Sequence, residues 1–210
     1  ARRRGHRRCR ARGQLGELTG QAGHARSLRL WRGKDCAALK RCNDGVLALS
    51  APIGRPYGVR VDSRDNVYIP DYLNFRVRVI CNDVSFGFCN SKLVGRHYRI
   101  AGNGVNADGG DGVGTSESIG QTMDIAFDSL DNVYIADYGQ DRVRVICNDV
   151  GSGGVCNGRT IGNIYRFAGY GDASDGDDGA PIMVQDQDEM ASPYALEIDA
   201  WDNVYIADYS

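Results

Sequence analysis

The sequence predicts an all-β fold built from short antiparallel strands, and three observations predict it. The first is a stretch written three times: VDSRDNVYIPDY at 61–72, FDSLDNVYIADY at 127–138 and IDAWDNVYIADY at 198–209. Its asparagines, Asn66, Asn132 and Asn203, stand 66 and 71 residues apart, which makes the chain a tandem repeat. The second is alternation. Val67 and Ile69 share one face of a strand with Tyr68 on the other, and the RVRVI runs at 76–80 and 142–146 alternate in the same way. The third is composition: 28 glycines in 210 residues, 42% hydrophobic content and few stretches with a helical period.

From the N-terminus, residues 1–27 read as a basic arm and residues 28–210 as the repeat region. The arm carries Arg2, Arg3, Arg4, Arg7, Arg8 and Cys9, with few apolar residues and no period. Residues 1–42 hold 13 Lys/Arg against Glu17 and Asp35, whereas residues 43–210 hold 12 basic and 25 acidic residues. A net charge of −2 therefore averages a basic head and an acidic body. Such a head either docks on an acidic surface or stays solvated.

Next, LRLW at 28–31 matches HYRIAG at 97–102 and IYRFAG at 164–169, the strand that ends each unit. Gly- and Asp-rich loops at 33–54, 102–120 and 169–192 lead into strands beginning at Pro56, Gln121 and Pro193. The Asp-Asn pair then closes a hairpin, since both residues tolerate a tight backbone. Val-Tyr-Ile follows, then RVRVI, then a cysteine loop. Pro70, where the other copies have Ala136 and Ala207, marks an edge or bulged position because proline has no N–H to donate.

Four short antiparallel strands repeated radially is the pattern of a β-propeller blade. The residues resemble those of the NHL-repeat β-propellers: Pro56-Tyr57-Gly58-Val59, Val61-Asp62, Asp65-Asn66-Val67-Tyr68-Ile69, Asp71 and Arg76-Val77. The pattern recurs from Ile125 to Val143 and again from Pro193 to Asp208. The resemblance covers residues 28–210 and implies NHL-like blades of four antiparallel strands. Two complete and two partial units make an incomplete ring, whereas members of the family usually close about six blades. Either further sequence or other chains are expected to complete it. With Ala1 in first place and no initiator Met, a processed product or fragment is expected.

The cysteines fall at recurring places. Cys81 and Cys89 bracket one loop, Cys147 and Cys156 the matching loop of the next unit, and Cys36 and Cys42 form an earlier pair. These spacings exceed the short hooks that hold zinc in fours, so local disulfides in an oxidising compartment are expected. Cys9 is left over, free or cross-linked to another chain. Two loops gather acids: Asp108 and Asp111 in NADGGDG, and Asp175, Asp177 and Asp178 in DASDGDDG. Oxygen-rich glycine loops suit calcium, so these five are candidate ligands, with solvated turns as the competing reading because the Asp-x-Asp-x-Asp-Gly spacing is missing. No other cofactor is expected. Asp71 with Arg78, and Asp137 with Arg144, are placed to pair across neighbouring strands.

No catalytic set emerges. The histidines are His6, His24 and His97, and no Ser or Cys has a base set beside it by local sequence. No apolar run approaches the roughly 18 to 20 residues of a membrane span. The repeats are acidic and the arm lacks interleaved aromatics, so nucleic acid ranks below protein or acidic polysaccharide as a partner. The expectation is an extracellular or cell-surface, non-enzymatic scaffold that binds other protein surfaces. Copies of itself are among them, because open strand edges invite pairing into oligomers or filaments. The alternatives are a ligand-binding or sensor ectodomain cut from a longer closed propeller and, third, a propeller lyase or lactonase.

Overall fold

The computed structural model describes residues 44–151, 153–169 and 190–209. The basic arm, the Cys36 and Cys42 pair, and Asp175, Asp177 and Asp178 lie outside the described residues.

The described chain is all-β. One sheet joins β1 (Arg60–Val61), β2 (Val67–Asp71), β3 (Arg76–Ile80) and β4 (His97–Ala101) in that order. The second is built from β5 (Gly112–Val113), β6 (Thr122–Phe127), β7 (Val133–Asp137), β8 (Arg142–Ile146) and β9 (Asn163–Ala168), ordered β5-β9-β8-β7-β6. The third pairs β10 (Pro193–Ile198) with β11 (Val204–Asp208). Every pairing is antiparallel. No helix among the described residues is long and apolar enough to cross a membrane.

The repeated text gives repeated registers. Ile69 lies opposite Arg78 as Ile135 lies opposite Arg144, and the ladder shifts at Val77/Arg78 as it does at Val143/Arg144. The second sheet departs from the expected four strands. Its fifth, β5, is the end of the Gly-rich loop returning along β9, and the first sheet has only the single bridge Leu47↔Arg96 in that place. Strand β1 is short where proline interferes: its last pairing is Arg60 with Tyr68, two residues before Pro70.

Each hairpin is held by a carboxylate. Asp62 Oδ1 accepts the N–H groups of Arg64 and Asn66, while Oδ2 accepts from the Asn66 amide and the Tyr68 hydroxyl. Asp128 and Asp199 do the same in their copies. Only the first residue of the Asp-Asn pair is left-handed, with φ of 62° at Asp65, 57° at Asp131 and 62° at Asp202. The asparagine bonds further away. Asn66 Oδ1 accepts the N–H groups of Asn82 and Asp83, and Asn132 Oδ1 those of Asn148 and Asp149. It thereby ties the turn to the far end of the next strand.

Alternation along each strand sends side chains to both faces, and both faces of the second sheet are covered. Val133, Ile135, Ile146 and Ile164 pack with Tyr68, Val77 and Val79 of the first sheet. Tyr134, Ala136, Val143 and Val145 pack with Leu196, Ile198 and Ile206 of the third. Val67, Ile69 and Ile80 form a separate cluster with Ile53 and Ala48 on the opposite face of the first sheet. Disulfides Cys81–Cys89 and Cys147–Cys156 sit in the two inter-sheet clusters.

Candidate functional site

The feature that recurs most faithfully is the junction between one sheet and the next. Ser63 donates from its N–H and hydroxyl to the two carboxylate oxygens of Asp131, at 3.3 and 2.5 Å. One repeat on, Ser129 makes the same clasp with Asp202, both bonds at 2.7 Å. Asp124, on β6, reaches both ways: its Oδ2 accepts from Arg60 Nη2 at 2.8 Å and from the Leu196 N–H at 3.2 Å. Beneath the clasp, the rings of Tyr68 and Phe127 meet edge to face at 4.8 Å. These serines escaped the sequence reading, although the spacing Asp-Ser-x-Asp recurs. The turn chemistry of the aspartates explained that text without a lateral partner.

Buried charge lies inside the sheets. Arg78 Nε donates to Asp71 Oδ2 at 2.6 Å, with both side chains fully buried. The other Asp71 oxygen accepts from the Gly54 N–H and the Asn74 amide. His97 Nδ1 lies 3.0 Å from Arg78 Nη1. Burial, then the Arg78 charge, pushes the His97 pKa down to about 4, so the imidazole is neutral at pH 7. A neutral Nδ1 held against a guanidinium is an acceptor for structure.

The matching pair in the second sheet does not form. Asp137 Oδ1 accepts the Gly120 N–H at 2.7 Å, but its Oδ2 and Arg144 Nε have no hydrogen-bond partner. Arg144 donates instead to the carbonyls of Ser118, Gly109 and Gly110. The reason lies one strand away. Ile164 stands where the first sheet has His97, so nothing polar there braces the guanidinium toward the carboxylate. Burial pushes the Asp137 pKa up to about 7 in spite of the nearby Arg144 charge.

The two described candidate calcium ligands have protein partners. Asp108 Oδ1 pairs with Arg142 Nη1 at 2.7 Å, and Asp111 Oδ1 accepts the Arg166 N–H at 2.9 Å. Among the described residues, no three His, Cys, Asp or Glu side chains gather as a metal site would require.

The third sheet breaks the pattern. Tyr68 and Tyr134 are 1% and 3% exposed, whereas Tyr205, the same residue of the third copy, is 57% exposed. Ala207, Asp208 and Trp201 are exposed with it. Among the described residues β11 pairs with β10. The clasp donor has changed here too, because Ala200 replaces Ser63 and Ser129.

No family model matches the sequence, and no curated protein matches it. Solved structures do resemble it in fold. A structural genomics protein of unknown function from Bacteroides thetaiotaomicron superposes with a TM-score of 0.55 at 22% identity, over 77% of this chain and 35% of that one. An auxiliary nutrient binding protein from the same organism gives 0.52 at 15% identity, over 71% and 34%. One from Bacteroides ovatus gives 0.50 at 15% identity, over 78% and 37%. The chain thus spans about a third of the length of each.

Proposed function

We propose that the chain is a run of NHL-type propeller blades serving as a non-enzymatic, extracellular scaffold for other protein surfaces, a second copy of itself first among them. The observation that carries this is the junction that recurs between sheets. Tyr68 and Tyr134 are each buried by the sheet that follows, and Tyr205 carries the same side chain at the same place, so its face is shaped for a following sheet that another copy can supply.

The first sheet of another copy has the matching parts. Val61 occupies the position of Phe127 and Ile198, which pack in the clusters that bury Tyr68 and Tyr134, yet Val61 itself is 53% exposed. Asp65 occupies the position of the clasp acceptors Asp131 and Asp202 and is exposed. The Ala200 N–H can still donate to it. Joining unlike surfaces head to tail closes a ring or extends a filament, according to the rotation between copies. The two disulfides favour an oxidising, extracellular setting. Trp201 emission tests the contact in a Trp31→Phe background: a blue shift that grows with protein concentration is expected. Emission fixed at the wavelength of a solvated indole at every concentration contradicts it.

A second reading is a ligand-binding scaffold within a longer closed propeller. Two of the similar structures are described as auxiliary nutrient binding proteins, and this chain spans about a third of each.

A further inference from the structure

Tyrosines from all three repeats meet at one end of the sheets. The row runs Tyr57, Tyr72, Met123, Tyr138, Tyr194 and Tyr209, alternating the residue that opens the first strand of a repeat with the one that follows the VYIAD strand. Tyr57 and Tyr72 pack edge to face at 4.9 Å, Tyr138 and Tyr194 edge to face at 6.4 Å across two repeats, and Tyr194 and Tyr209 at 6.4 Å. The Tyr72 hydroxyl is raised above its ordinary value, through burial first and then the phenols of Tyr57, Tyr138 and Tyr194. This is not a buried core. Tyr57, Tyr194 and Tyr209 are each about half exposed or more.

The rings themselves are uncharged. Two carboxylates border them, Asp141 accepting the Ser192 N–H and Asp208 the Ala191 N–H, both at 2.9 Å, and at that end they disfavour a polyanion, while Arg55 is a cation near Tyr72. Ring faces carry negative charge density that attracts polarised C–H groups, and each phenol both donates and accepts. A pyranose offers both complements, an apolar C–H face and a rim of hydroxyls. Because the rings recur with the repeat, the ligand that fits is one that itself repeats.

We propose that this row binds a neutral carbohydrate chain lying across the three repeats. The proposal rests on the ligand-binding reading above and names its site and ligand class. The test is calorimetry on the full 210-residue chain with trimers and hexamers of β-1,4-glucan, β-1,3-glucan, β-1,4-xylan and chitin, with heparin and a proline-rich decamer as other polymers. At least one neutral hexamer binds, more tightly than its trimer. Tyr194→Ala and Tyr57→Ala each weaken it about tenfold, as loss of an aromatic anchor does, while Tyr194→Phe stays within about threefold. Both side chains are half exposed, and near-ultraviolet circular dichroism checks that each variant folds. Failure of every neutral hexamer to bind, binding indifferent to both alanine variants, or tyrosine-dependent binding of heparin or the decamer alone overturns the proposal. Light scattering on the same samples reads self-assembly separately. Loss of sugar binding with assembly intact removes this site and leaves the scaffold reading standing.

Discussion

Replacing Asp137 by Asn should make the protein more stable at alkaline pH and leave it almost unchanged in acid. Asp137 is fully buried, and its pKa is raised from 3.8 to about 7 because burial outweighs the attraction of Arg144, the Gly120 N–H and Arg142, with Asp108 adding to the rise. The folded protein therefore holds a proton that the unfolded chain releases near pH 4. The stabilisation this provides is complete below pH 4 and is lost as pH rises through about 7. At about 1.36 kcal/mol for each tenfold change in proton affinity, that rise corresponds to about 4 kcal/mol. Asparagine mimics the protonated acid and keeps the acceptor for Gly120, so the variant does not suffer the loss. Urea unfolding at pH 5 and pH 8.5 measures it: the variant should gain about 3 kcal/mol on wild type between the two, the rest of the loss falling between pH 4 and pH 5. An unchanged difference between the two proteins would refute the argument and mean that Asp137 is ionised in the fold.

The first sheet should behave in the opposite manner. Asp71→Asn removes the carboxylate bonded to fully buried Arg78 and should cost roughly 3–5 kcal/mol in the same assay. Gly169→Ala should cost on the order of 1–3 kcal/mol, read as a lowered melting temperature. That glycine has φ of 77°, and an added Cβ would stand 2.5 Å from the Asp141 carbonyl.

Much of the architecture was legible because a period-two pattern repeated twice leaves little freedom. The alternation of Val67, Tyr68 and Ile69 predicted which face each takes, and the packing clusters agree. The Asp71 pairing with Arg78 was legible from two strands joined by a short turn. Its failure at Asp137 and Arg144 was not, since it depends on His97 becoming Ile164 on a third strand. Strand β5 was hidden in a Gly-rich loop because two residues, Gly112 and Val113, are too few to show an alternating pattern. The serine clasps and the tyrosine row involve residues many positions apart that meet only when sheets pack. Tyr57 and Tyr72 each fit the pattern of their own strand end, and nothing local shows that they touch.

In the proposed assembly the face of the third sheet that carries Tyr205 takes another copy of the chain. Light scattering on the purified protein tests it most directly, comparing wild type with Tyr205→Arg, which places a charge on that face without touching the two formed junctions. Wild-type mass should rise with concentration to multiples of the single chain, while the variant stays at one. A wild type that remains one chain at every concentration, or a variant that assembles equally well, would contradict it.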